Sequence, residues 1–230
     1  MGLTLYELGG DQNFRYCPFC WRSLMALKHK GLHDFRRVPV YYSDRSPIAF
    51  TSQERVPVLV DGERWVNDSW EIACYLEDTY PDRPPLFGSD SGRAQAQFIS
   101  AWTLELQKPE LTAILMWDAF EHVDPADRAW WRADREKRFG KLESYRDGRE
   151  EKVVAWRSLL EPLRATLAGQ AFLGGDSPAY ADYIVFGSFQ WARCISRLEL
   201  LEASDPVYAW RERILDLFDG FARRAPHVAT

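Results

Sequence analysis

The chain contains no apolar run approaching the roughly 18–20 residues that a helical membrane span needs, so no membrane-embedded role is expected. No Lys/Arg stripe offsets its formal charge of −5, which argues against a nucleic-acid partner. The opening residues lack the charged and apolar regions of a secretory leader, and this predicts a cytoplasmic, reducing location. Cysteine is scarce, with four in 230 residues, and in such a compartment thiols are reactive or buried rather than paired in structural disulfides. Histidine is equally scarce: His29, His33, His122 and His227 show no ligand spacing, and there is a single C-x-x-C, so no metal site is expected. No fixed-period repeat is visible. Aromatic residues, in contrast, are plentiful. Ten Trp, ten Tyr and thirteen Phe can supply both a core and walls for flat apolar ligands.

The most informative stretch is Arg15-Tyr16-Cys17-Pro18-Phe19-Cys20-Trp21-Arg22. Before it, Leu3-Thr4-Leu5-Tyr6-Glu7-Leu8 alternates as a strand does. After it, Trp21, Leu24, Met25 and Leu27 recur at helical spacing until Gly31. Pro18 then falls at the first helical position and Cys17 at the cap. A thiol there faces unpaired N–H groups and the positive end of the helix dipole, which lower a cysteine pKa from about 8.5 into the range of roughly 3.5–7.5. Cys17 is thus a candidate thiolate. Cys20, one turn later, points into the domain and is expected to pack rather than react. Cys74 and Cys194 fall on apolar helical stripes and read as core.

Phe35–Tyr42 reads as a second strand, which completes a β-α-β unit with the C-x-x-C at its strand-to-helix turn, the context of a thioredoxin-like motif. Asp44 to Phe50 suggests a short helix. Val56–Val60, Asp61-Gly62 and Glu63–Val66 read as strand, tight turn and strand. Asn67-Asp68-Ser69 offers caps for a helix that stops by Tyr80-Pro81. Residues 81–92 are rich in Pro, Gly, Ser and Asp and read as a linker between residues 1–80 and a helical domain, 93–230. Within that domain Ile99, Trp102 and Leu106 mark one helix, with a kink at Pro109. Asp127 to Gly148 reads as one charged, exposed helix. Val153 to Leu167 forms a third stripe, a fourth starts after Ser177-Pro178, and Val207 to Phe218 makes the last. The fold class is an α/β thioredoxin-like domain followed by an all-α domain.

At this point the chain resembles the glutathione S-transferase superfamily over nearly its whole length. Cys17-Pro18-Phe19-Cys20 is similar to the active-site turn of the cysteine-containing classes, Arg55-Val56-Pro57-Val58-Leu59 to the segment with the cis-proline, and Asp68-Ser69 to the acidic-Ser pair that holds glutathione. Ala26–Gly31, Asp68–Ala73 with Tyr80–Pro84, and Gly174–Tyr183 are most similar to the bacterial β-etherase-like branch. The resemblance implies that Val56, beside cis Pro57, pairs with the cysteinyl part of glutathione. It also implies that Asp68 and Ser69 hold the γ-glutamyl end, and that Arg55 meets the glycyl carboxylate or a nearby backbone position. Two departures stand out. Cys17 occupies a position where the etherase-like branch commonly has Ser, and Ala179 stands where many relatives have a capping Ser or Thr, leaving Ser177 as the alternative cap and Asp182 as a buried structural residue.

The expected activity is glutathione transfer to, or glutathione-dependent reduction of, a hydrophobic and aromatic small molecule, with Cys17 stabilising or bonding the glutathione sulfur. Aryl-ether cleavage, a non-catalytic glutathione-binding module and a redox sensor are the alternatives. Tyr16 and Trp21, with Trp102, Glu105, Trp117 and Trp191 from the helical domain, are candidate walls of the substrate site, and each competes with a core role. A homodimer is implied by the family.

Overall fold

The computed structural model describes residues 2–106 and 110–228. The kink expected at Pro109 lies outside the described residues. The alternating opening segment forms β1 (Leu3–Leu8), followed by α1 (Pro18–His29) and β2 (Phe35–Val40), which pairs parallel with β1 from Leu3↔Phe35 to Leu8↔Val40. A 3-10 turn, Ser46–Thr51, precedes β3 (Val58–Asp61), antiparallel to β1 with Leu5 opposite Leu59. β4 (Arg64–Asn67) closes the sheet, whose order is β2-β1-β3-β4. Alternation along β1 sends Leu5 into the main core, while Tyr6 packs on the small cluster of Val40, Ile48 and Val58 on the opposite face.

Several boundaries differ from the sequence reading. β3 starts at Val58, because Val56-Pro57 is a cis peptide that approaches the ladder without joining it. The hairpin loop is Gly62-Glu63, with Asp61 still paired opposite Arg64. β2 stops at Val40 because the next residues turn onto the helical domain, where Tyr42 and Ser43 give their N–H groups to the Asp127 carboxylate at 2.7 and 2.6 Å.

α2 (Ser69–Thr79) is capped by Asp68, whose Oδ1 accepts the N–H of Trp70 at 2.7 Å. The helical domain follows with α3 (Asp90–Leu106) and α4 (Thr112–Glu121). The charged helix expected over 127–148 is in fact two pieces. α5 (Arg128–Phe139) ends at Gly140, whose φ of 84° no side-chain-bearing residue adopts cheaply, and a 3-10 turn at Leu142–Tyr145 leads into α6 (Arg149–Arg157). Nor is that run wholly solvated, since Asp127 and Trp131 are buried. The next stripe is likewise divided, a 3-10 turn at Ser158–Leu160 joining α6 to α7 (Glu161–Leu167), where Pro162 sits in the first turn.

α8 (Tyr180–Ile195) runs through the middle of the molecule, packed on α1 and α3, and all its residues except Trp191 and Arg193 are buried. Its cap position is Ala179, and Ser177 takes no part. The Asp182 carboxylate accepts the N–H of Ala179 at 2.9 Å, together with those of Leu173 and Gly174, while the Asp182 N–H that a capping hydroxyl would take turns to the Ala179 carbonyl at 3.0 Å. α9 (Pro206–Gly220) packs on α7 and α8, with Leu217 to Asp219 already departing from helical geometry. No helix among the described residues is long and apolar enough to cross a membrane.

Candidate functional site

The carboxyl end of β1 delivers the chain, through Gly9 and Gly10, to the loop before Cys17. That loop is pinned from beneath: the Trp21 indole N–H donates to the Arg15 carbonyl at 2.7 Å. Trp21 is only 1% exposed and stacks toward Phe221, so it is a core residue that steadies the approach to Cys17 rather than part of a wall. Under the same loop the buried Glu7 accepts both Nε and Nη2 of Arg37, at 2.6 and 2.9 Å.

Cys17 is the N-cap of α1, and Pro18 opens the helix. Its sulfur faces the backbone N–H groups of Phe19 and Cys20 and the Cys20 thiol without closing a capping bond of ordinary geometry. The Cys20 thiol above all, aided by those amides, holds the Cys17 pKa below that of an ordinary thiol, against burial and the Glu7 charge. Cys20 moves the opposite way. Burial first, then the neighbouring Cys17 sulfur, pushes its pKa well up, so it remains a thiol that can donate to Cys17. Both are free cysteines.

The cis Val56-Pro57 peptide meets the start of α2 at a junction whose residues, Arg55, Val56, Pro57, Asp68 and Ser69, are not among those lining the cleft with Cys17. Asp68 donates its N–H to the Pro57 carbonyl at 3.2 Å. Asn67 Nδ2 spans the carbonyls of Arg55 and Pro57 at 3.0 and 3.2 Å. Asp68 is exposed and adopts φ 78° with ψ 139°, a positive-φ conformation outside the left-handed helical well that strains a residue bearing a Cβ. Ser69 is buried, and its carbonyl accepts the Tyr180 hydroxyl at 2.6 Å, tying this junction to α8. Arg55 is exposed.

Two residues here escaped the sequence reading. The sequence suggests only a capping role for Asn67, whereas its side chain braces the cis peptide from across the hairpin. Arg22 sits among consecutive buried residues of α1, 3% exposed, with Nε and Nη2 lacking any hydrogen-bond partner among the described residues. Its guanidinium lies 4.7 Å above the Phe19 ring, and Tyr180, Cys17 and Asp68 are the groups whose charges act on it. A cation inside an otherwise apolar helical stretch was the available signal.

A cleft of about 340 Å³ opens over Cys17 between the two domains. Leu8, Tyr16, Pro18, Phe19 and Tyr42 line it from the first domain. Met116, Ala119, Trp131, Arg135, Phe139 and Trp191 face them from α4, α5 and α8. Tyr16 and Trp191 therefore share the cleft with Cys17. Trp102 lines a separate cavity of about 250 Å³ beside Phe98 and Pro162, so it does not contribute to the Cys17 cleft. Trp117 is likewise elsewhere, against Glu121, which accepts its indole N–H at 2.8 Å. Glu105 is exposed on α3 and absent from the cleft lining.

Residues 16–79 match the glutathione S-transferase N-terminal domain and residues 94–221 the glutathione S-transferase C-terminal domain. Glutathione S-transferase omega-1 of Mus musculus is 26% identical over 205 residues, covering 86% of this chain and 72% of the relative. Glutathione transferase GSTFuA3 from Phanerochaete chrysosporium superposes with a TM-score of 0.72 at 26% identity, over 96% of this chain and 92% of its own. The glutathione S-transferase CsGST63524 of Ceriporiopsis subvermispora, solved in complex with glutathione, superposes with a TM-score of 0.75 over 98% and 95% of the two chains. At 20% identity that last likeness is one of fold.

Proposed function

Because the chain belongs to the glutathione S-transferase family, we propose that it is a glutathione-dependent transferase whose Cys17 receives the glutathione sulfur at the floor of the interdomain cleft. The observation that carries this reading is the position of Cys17 at the N-terminus of α1, in the lining of a mostly apolar cleft, where the neighbouring Cys20 thiol favours its thiolate. Glutathione is the co-substrate. The Val56 backbone beside cis Pro57 pairs with its cysteinyl part. Its γ-glutamyl end lies at Asp68 and Ser69, where the Asp68 carboxylate meets the ammonium and the N-terminus of α2 meets the carboxylate. The orphaned Arg22 guanidinium supports a bound anion in this region, since a buried cation without partners gains most from one. Arg55, exposed at the rim, is available to the glycyl carboxylate.

Two chemistries fit this arrangement. In substitution, the glutathione thiolate attacks an electrophilic carbon of an aromatic acceptor, a C–S bond forms, and the leaving group departs with the electron pair. Aryl-ether cleavage is the case in which that group is a phenolate. In thiol transfer, the Cys17 thiolate attacks the sulfur of a glutathione mixed disulfide, releases the other thiol, and is itself freed when a second glutathione attacks. The raised pKa of Cys20 and its place outside the cleft lining favour glutathione, rather than Cys20, as the resolving thiol.

Cys17→Ser separates the two. A serine hydroxyl still donates a hydrogen bond to the glutathione sulfur but forms no disulfide. Thiol transfer as the principal activity requires loss of disulfide reduction. Retained aryl-halide or aryl-ether turnover in the same variant assigns substitution. Failure of wild-type protein to bind glutathione in calorimetry sinks both.

A further inference from the structure

The cleft over Cys17 carries charge of one sign. Its lining includes Arg135 and Arg138 and no carboxylate side chain. Among the described residues the two guanidinium groups share one counter-ion, Asp134 Oδ2, which Arg138 Nη2 approaches to 2.9 Å and Arg135 contacts as well. One carboxylate between two cations leaves a positive surplus at this end of a mostly apolar cavity, in a chain whose overall formal charge is −5. Both cations are stacked on rings of the cleft. Arg135 Cζ lies 4.9 Å from the Trp131 centroid and Arg138 Cζ 5.2 Å from that of Phe139. Stacking of this kind holds the planar fork in place with N–H edges free for a second partner.

An independent observation points to the same end. Tyr16, 4% exposed and in the cleft wall, has a hydroxyl buried without any hydrogen-bond partner among the described residues. Burial keeps that phenol protonated; Tyr42, Cys17, Asp127 and Arg135 are the charged or titratable groups that act on it, and Tyr16, Tyr42, Cys17 and Arg135 line the same cleft. Asp127 is already committed to the N–H groups of Tyr42 and Ser43. The site thus offers two forked cations and a neutral O–H donor, and its lining holds no carboxylate, only the hydroxyls of Tyr42 and Thr112 as further side-chain oxygens. A neutral or cationic acceptor would leave these donors facing apolar or repulsive surface, whereas a carboxylate accepts from both a fork and a hydroxyl.

We propose that this cleft selects flat, apolar acceptors that carry a carboxylate: the ring body lies against Trp131, Trp191 and Met116, and Arg135, Arg138 and the Tyr16 hydroxyl receive the anion. This rests on the reading of the cleft as the acceptor site and names the class of acceptor. It is a claim about recognition, and any leaving group or bond change remains that of the transfer reaction.

The test uses binding rather than turnover. Naphthalene-2-carboxylate and naphthalene-2-carboxamide, nearly equal in shape, are titrated by calorimetry into the full chain and into the Arg135→Gln/Arg138→Gln variant. The carboxylate is expected to bind the wild type about tenfold more tightly than the amide, and the variant to bring the two within about twofold of each other. Tyr16→Phe is expected to weaken the carboxylate by a few-fold more than the amide. Where the double variant loses its near-ultraviolet circular dichroism, Arg138→Gln alone, at the more exposed position, replaces it and must lower the ratio. Equal affinities in the wild type, a preference that survives the variants, or no binding of either probe overturns the proposal. Glutathione titrated into the same protein tests the transferase reading separately: carboxylate preference without glutathione binding overturns that reading and leaves this one standing.

Discussion

The Trp210 indole N–H donates to Asp182 Oδ1 at 2.8 Å, in a site where that carboxylate also accepts three backbone N–H groups from the turn preceding α8. One side chain thereby organises the approach to the central helix and the face of α9 that covers it. Asp182 is wholly buried, so its removal leaves four donors without acceptors in the core. Asp182→Ala is expected to cost about 3 kcal/mol or more. Urea denaturation checks this, and a loss below about 1 kcal/mol would mean that water or a neighbouring carbonyl takes over the donors.

The thiol pair sets the pH response. The folded pKa of Cys17 lies below the ordinary value and that of Cys20 well above it. Above the Cys17 pKa the thiolate is present, and reactivity falls only as pH drops through that lowered value. Iodoacetamide alkylation at Cys17, followed by mass spectrometry across pH, is expected to reach its plateau at lower pH than a model thiol. Replacing the principal donor, Cys20→Ala, is expected to move the curve to higher pH. An unmoved curve assigns the lowering to the helix end alone.

Arg22 separates stability from binding. Its buried guanidinium leaves Nε and Nη2 without hydrogen-bond partners among the described residues and gains only the Phe19 ring, so Arg22→Met is expected to leave the free protein as stable as before or more stable by about 1 kcal/mol. The same change is expected to weaken glutathione about tenfold, through loss of a charge-assisted contact. Denaturation and calorimetry on one preparation decide it. A large destabilisation with unchanged affinity would assign Arg22 to the fold alone.

At Gly187 a Cβ would lie 2.5 Å from the Pro18 carbonyl oxygen, which belongs to backbone and cannot swing aside. Gly187→Ala is expected to cost about 1–3 kcal/mol and to lower the transferase rate, because the backbone that must shift carries Pro18, next to Cys17. Thermal unfolding and initial rates measure the two consequences, and unchanged values for both would mean that α8 slides without disturbing Cys17.

The parts of the site that could be read from the chain are those written in local signals. Cys17-Pro18 announces a helix end and Asp68-Ser69 another, and both caps stand where their residue types direct them. What stayed hidden depends on pairing across distance. Asn67 reaches carbonyls ten and twelve residues away, and Asp127 holds amides 84 and 85 residues away. Trp21 looked like a wall because it adjoins the thiol, yet helical geometry turns it beneath the loop. The break at Gly140 went unseen because mixed charges continue on both sides of it and mask the change of direction.

The glycine that admits Pro18 has a neighbour one turn on. Gly187 and Trp191 stand four residues apart on α8, and so on one face of one rigid rod. The seat of the thiol-bearing helix and an aromatic wall of the cleft over Cys17 are therefore spaced by the rise of a single helix rather than by the angle between two domains. Swivelling one domain on the other cannot lengthen that span. Enlarging the cleft from the helical-domain side then falls to the side chains of α4 and α5, which line it without belonging to the thiol-bearing helix.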